Sequence, residues 1–180
     1  MKKMSDLAGR AGRMRNFPVE KDGRTYWVSR SVAVLGVVLT VADGELYVLV
    51  NRRGEGCPDY NGMWNIPCGY LDYDETSREA VSREIMEECG VFVEPSMFGL
   101  FAVNDDPSES RQNVTLRYVA EVPPSYMSYS LSSENSEENE VSDIRWIKVA
   151  DADRYEWAFN HRELVKDIVP GLVGRKNILR

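Results

Sequence analysis

A chain of 180 residues, 43% hydrophobic and 28% charged, has room for one domain with a buried core and not for two full ones. Its formal net charge of -7 argues against general nucleic-acid or anionic-membrane binding, because such partners would be repelled. Three well-separated cysteines (Cys57, Cys68 and Cys89) and a single histidine, His161, argue against a disulfide framework or structural zinc and fit a reducing, cytoplasmic setting.

Residues 1–24 are polar, with Gly9, Gly12, Arg10, Arg13 and Arg15 and no clear period, and read as a loose extension before a domain covering 25–180. The arginines leave a nucleic-acid-binding arm open, but the basic start lacks the apolar run of a secretory signal. Tyr26 to Val41 and Glu45 to Val50 are rich in strand formers, with the hairpin dipeptide Asp43-Gly44 between them. Val32 to Val41, broken by Gly36 and Thr40, is too short to span a bilayer. Arg52 to Met63 reads as a loop, and Trp64 to Leu71 as a short strand ending at Gly69. Ser77 to Cys89 is the strongest helix, stopped by Gly90. Extended stretches follow at Val91 to Val93, Met97 to Val103 and Val114 to Val122, then a Ser- and Glu-rich mobile loop from Pro123 to Asn139. A last strand, Val141 to Val149, and a last helix, Phe159 to Val169, complete an α/β chain whose mixed sheet is packed between helices.

The chemistry concentrates between Gly69 and Val91. Each helical residue turns by about 100°, so Glu84, Glu87 and Glu88 share one flank while Val81, Ile85 and Cys89 form an apolar stripe beside it. Three such glutamates alone would ordinarily be a solvated acidic face. Their mutual repulsion and the acidic net charge instead suit a hard divalent cation set between carboxylates and a phosphate substrate.

Glycine, a glutamate six residues on (Glu75), then Arg83-Glu84-Ile85-Met86-Glu87-Glu88-Cys89-Gly90-Val91 resembles the Nudix box at every defining position. A chance match in one window is on the order of 10⁻⁹. The resemblance implies a Nudix-type α/β/α sandwich and a hydrolase that cleaves a phosphoanhydride bond with Mg²⁺, for which Mn²⁺ can substitute. It implies Glu84, Glu87 and Glu88 as metal ligands, Arg83 as the residue steering them, and Glu75 as a partner of Arg83 or of a metal-bound water. Gly69 is expected to allow tight backbone geometry where strand enters loop.

In this family the general base is a box glutamate, here Glu84, or one from a later loop. Glu134, Glu137, Glu138 and Glu140 are the loop candidates, Glu140 being favoured because it adjoins the strand that carries Trp146. The loop is expected to reach the metal only when substrate draws it in.

Pro107, sixteen residues past Val91, resembles a marker of the ADP-ribose-hydrolysing branch, although proline after Asp106 is also an ordinary turn residue. Arg52, Arg53 and Arg111 are candidates for the far phosphate, and Tyr26, Trp27 or Trp64 for stacking on a base. Trp64 is expected to be structural and His161 a packing residue. The implied partner is a nucleotide-type small molecule, with no nucleic acid and no membrane; a homodimer is compatible. The substrate leans to ADP-ribose or a nucleotide sugar. The alternatives are a (d)NTP pyrophosphohydrolase and a non-catalytic ligand sensor; intact box acids weigh against the sensor.

Overall fold

The computed structural model describes residues 16–107, 113–134 and 139–173. Strands β1 (Phe17–Lys21) and β2 (Arg24–Val28) pair as a hairpin around Asp22-Gly23, whose φ angles are 52° and 72°. The first of these strands falls where the sequence suggests loose chain. Asp-Gly tolerates the left-handed region and so closes a two-residue turn, and Val19 pairs across it with Tyr26. This hairpin belongs to a compact unit ending at Ser31; a second unit runs from Val32.

The second unit opens with β3 (Val32–Ala42) and β4 (Glu45–Arg53), joined by Asp43-Gly44 at φ 51° and 76° as the dipeptide predicts. There follow β5 (Trp64–Asn65), β6 (Cys68–Tyr70), helix α1 (Ser77–Cys89), β7 (Gly99–Asn104), β8 (Val114–Glu121) and β9 (Val141–Lys148). The single strand expected from Trp64 to Leu71 is two, because Pro67 has no N–H for a ladder. Thus β5 pairs with β4, and β6 with β3. The sheet runs β5-β4-β3-β8-β7, with β6 on β3 and β9 on β4; β3 and β8 are parallel and the other pairs antiparallel.

Alternation along β3 explains the layers. Val34 and Val38 enter the cluster that holds Val81, Ile85 and Cys89 of α1. Leu35, Val37 and Leu39 enter another with Leu164, Val165 and Val169. A strand buried on both faces is covered on both, giving the expected α/β/α sandwich. Burying Val81 and Ile85 stabilises this packing by about 1.5–3 kcal/mol each. Gly36 is where the helix presses closest: a Cβ there would sit 2.6 Å from both Val81 Cγ2 and Ile85 Cδ1.

The ends of α1 have local causes. Thr76 caps it through a reciprocal box with Glu79, the pattern Thr76-x-x-Glu79. Gly90 terminates it at φ 70°. Two expectations are modified further on. The helix expected from Phe159 to Val169 is present as one unbroken helical run, in which an α turn at His161–Glu163 widens over Leu164–Ile168 and tightens over Val169–Gly171. No side chain caps its start, and Val165, Ile168 and Val169 are weak helix formers. The described part of the 123–139 loop is also held down. Pro124–Ser128 form a helical turn, Tyr126 and Leu131 pack on the core, and Ser132 N–H donates to Cys89 O at 3.1 Å.

Candidate active site

Because the apolar stripe of α1 lies on β3, the flank beside it lies over β6. Glu88 is 4% exposed: its Oε2 accepts the Cys68 N–H at 3.1 Å, and the Asn51 side chain hydrogen-bonds it from β4. Glu84 lies against Gly69, where any Cβ would collide with its carboxyl carbon and both oxygens. Gly69 is not in the left-handed region. Its role is therefore not the backbone freedom expected from the sequence; it leaves room for a carboxylate.

Arg83 ties the acids together. Its Nε and Nη2 donate to Glu75 Oε2 and Oε1 at 3.1 and 2.8 Å, the two-pronged contact a guanidinium makes best. Nη2 also reaches Tyr70 O at 3.0 Å, and Nη1 bridges Glu84 Oε1 at 2.8 Å and Glu87 Oε2 at 3.0 Å. Asp72 N–H donates to Glu75 Oε1 at 2.8 Å, fixing the loop before the helix.

The electrostatics follow from crowding. Burial, opposed by Arg83 and reinforced by Glu87 and Glu140, raises Glu84 to about 7. Glu88 lies well above the carboxylate range, chiefly through burial and then through Glu84 and Glu140. Arg83 holds Glu75 below its ordinary value. Two neighbouring buried carboxyls thus resist ionisation together, and a cation among them would relieve both.

Among the described residues no three Asp, Glu, His or Cys side chains converge as a metal cluster. The side-chain positions show why: Arg83 engages Glu84 and Glu87, while Glu88 turns inward to Cys68 N–H. The donor set still fits a hard divalent cation, being carboxylate oxygen throughout, with two of the acids already bridged by one guanidinium nitrogen.

Glu140 precedes β9, and its charge raises both Glu84 and Glu88, so its carboxylate acts on the cluster as the chain stands. Glu134 sits at the exposed turn after Ser132, whose Oγ accepts its N–H at 3.2 Å. Glu137, Glu138 and Arg111 lie outside the described residues.

The remaining candidates are dispersed. Arg52 Nε donates to Gly62 O at 2.6 Å. Arg53 holds Asp59 through Nε and Nη2, both at 3.0 Å, and lies 5.3 Å from the Phe159 ring centre. Both arginines therefore brace the 54–63 loop. Trp64 is buried, edge-on to Tyr155 at 5.6 Å and under Arg145 at 5.0 Å. Tyr26 and Trp27 belong to the separate N-terminal hairpin, where Trp27 is exposed. Asn51, Cys68 through its amide, and the 54–57 loop were not singled out in the sequence. Asn51 is marked only by being polar in an apolar strand, and the other two by nothing local.

His161 is buried, and its Nδ1 accepts the Ile66 N–H at 3.1 Å, which requires the neutral ring. Burial, then Arg117 and Arg53, lower it from 6.5 to about 3. Between those values the unfolded chain binds a proton that the folded chain refuses, so stability falls as pH drops. This group alone should contribute up to about 1.4 kcal/mol per pH unit. Denaturant titrations from pH 7 to 4 should show that slope reduced in His161→Gln; equal slopes would contradict the assignment.

A family model described as NUDIX domain matches residues 30–168. A MutT-like protein of Streptomyces ambofaciens is 44% identical over 64 residues, 36% of this chain and 36% of that protein. The isopentenyl-diphosphate Delta-isomerase of Escherichia coli K12 is 32% identical over 127 residues, 66% of this chain and 65% of the isomerase. The chain thus spans between about a third and two thirds of these relatives' lengths. The NUDIX domain of Shewanella oneidensis NrtR, crystallised with ADP ribose, superposes with a TM-score of 0.66 at 23% identity, over 81% of this chain and 90% of that one. NrtR crystallised with a 27mer DNA is 25% identical at a TM-score of 0.60, over 75% of this chain and 58% of that one. With a box complete from Gly69 to Val91, a fold to match and a family model covering most of its length, this chain belongs to the NUDIX domain family.

Proposed function

We propose that the chain is a metal-dependent hydrolase of a phosphoanhydride bond in a nucleoside diphosphate linked to another moiety, of ADP-ribose or nucleotide-sugar type. The observation that carries this reading is one flank of α1, where Arg83 bridges Glu84 and Glu87 and Glu88 lies buried beside them against the Cys68 N–H. A surface kept only for solubility would leave such acids in water.

Glu84, Glu87 and Glu88 would hold Mg²⁺, or Mn²⁺ in its place. When bound, the ion supplies charge neutralisation on the diphosphate and a lowered pKa for water. Arg83 orients the carboxylates and is itself oriented by Glu75. Glu140 accepts the proton of the attacking water on a carboxylate oxygen. Arg52, Arg53 and Arg111 are proposed for the far phosphate, the first two on condition that they leave their contacts within the 54–63 loop. We place the protein in the cytoplasm because Cys57, Cys68 and Cys89 are free thiols. Among the described residues no helix is long and apolar enough to cross a membrane.

The ADP-ribose preference is supported by Pro107 and by the ligand crystallised with the NrtR domain. A panel of ADP-ribose, nucleotide sugars, dinucleoside polyphosphates, (d)NTPs and isopentenyl diphosphate, each with Mg²⁺, tests it. Fastest turnover is expected for the diphosphate-linked nucleosides. A preference for (d)NTPs would move the assignment to a pyrophosphohydrolase, and tight binding with no turnover of any compound would make the chain a sensor.

Glu140→Gln tests the base. A lost general base lowers kcat about 10²- to 10⁴-fold, and here KM should change little because Glu140 acts on water. Glu134→Gln, Glu137→Gln and Glu138→Gln should be mild. A larger loss in one of those three would move the base along the loop, and mild effects in all four would return it to Glu84.

A further inference from the structure

Glu140 is held by its backbone from a loop more than eighty residues earlier. The Gly54 N–H donates to the Glu140 carbonyl at 2.7 Å, and the Gly56 N–H donates to the Asn139 carbonyl at 2.9 Å. The Cys57 thiol donates to the same Glu140 carbonyl at 3.2 Å. A turn closed by Cys57 N–H on Gly54 O, 3.3 Å, brings these donors to one side. The approach is closer than a side chain permits, because a Cβ on Gly54 would fall on the Asn139 carbonyl. Asn139 itself is left-handed, with φ 60°. Just beyond, Ser142 Oγ donates to the carbonyls of Arg52 and Arg53 at 3.2 and 3.3 Å, where the β4–β9 register shifts.

The grip falls on the residue whose charge reaches Glu84 and Glu88, at the point where the ladder between β4 and β9 loses its regular register. Without it, the backbone of Glu140 would hang from a loop rather than from the sheet. A carboxylate that must meet one water needs placement to within a fraction of an ångström.

We propose that Gly54 and Cys57 are positioning residues that clasp the Glu140 backbone and so aim its carboxylate at the metal-binding glutamates. The proposal rests on the reading of Glu140 as general base. It makes Glu140 pre-set in the free protein, where the sequence suggested an acid delivered only by loop closure.

The test uses the full chain with Mg²⁺ and the preferred substrate of the panel. Cys57→Ala should lower kcat about fivefold with KM unchanged, and Cys57→Ser, which keeps a donor, should restore most of it. Gly54→Ala should lower kcat about a hundredfold by displacing residues 139 and 140. Neither substitution should lower kcat further in a Glu140→Gln background. Hydrogen exchange at the Gly56 amide, read without substrate, should speed up in Cys57→Ala and recover in Cys57→Ser. If Cys57→Ala costs the same factor in the Glu140→Gln background, or if the Gly56 exchange rate does not move, the clasp is overturned while the base assignment stands. If Glu140→Gln itself keeps wild-type kcat, the base assignment fails and takes the proposal with it.

Discussion

Glu88→Gln is expected to lower kcat about a thousandfold or more, roughly 4 kcal/mol of transition-state stabilisation, without weakening the metal-free fold. The substitution keeps an oxygen to accept the Cys68 N–H and replaces a carboxyl whose ionised form burial disfavours. Burial together with Glu84 and Glu140 raises Glu88 far above its unfolded value of 4.5. The folded chain therefore retains a proton that the unfolded chain releases, and stability declines as pH rises above about 4.5. In EDTA the glutamine variant should match the wild type near pH 4 and exceed it at pH 8. Denaturant titrations at the two pH values check this. A variant clearly less stable at pH 8 would mean that the carboxylate is satisfied without a cation. Near-normal kcat would reduce the acidic flank to surface. Glu87→Gln should match the loss in kcat with a smaller stability gain, because Glu87 is the more exposed of the two.

Gly69→Ala should be nearly as damaging, about a hundredfold in kcat, although it adds a single methyl group. That methyl would overlap the carboxylate of Glu84, so either the helix lifts from β6 or the carboxylate swings away from Arg83. The backbone at Gly69 is ordinary, so alanine itself is unstrained there. The cost should therefore depend on the Glu84 side chain. Gly69→Ala should destabilise the wild type and be nearly neutral in a Glu84→Ser background. Equal destabilisation in both backgrounds would show that the glycine serves the backbone, as its place in the motif first suggested.

What could be read in the sequence was whatever depends on local spacing. The limits of α1 follow from a 3.6-residue apolar period and a terminal glycine, and the β3–β4 turn follows from Asp43-Gly44. The carboxylate flank needed only helical geometry. The layers followed from a strand-rich chain with two helices set far apart in sequence. What could not be read depends on pairs distant in sequence. Asn51 reaches Glu88 only because β4 lies beneath α1, and Gly54 meets Glu140 only because β9 pairs with β4. Arg53 is a candidate for the far phosphate by residue type alone, and its contacts with Asp59 and Phe159 exist only once the loop folds. The C-terminal helix could be read as an apolar run, whereas its change of pitch, supported by packing on the sheet, could not.

On the proposed function, these carboxylates work by holding a divalent cation for hydrolysis at phosphorus. It is tested most directly by product release from ADP-ribose and the other compounds of the panel in Mg²⁺, in Mn²⁺ and in excess EDTA. Turnover is expected with either ion, rising toward alkaline pH as water loses its proton, and none in EDTA until metal is restored. Full activity in EDTA would contradict it.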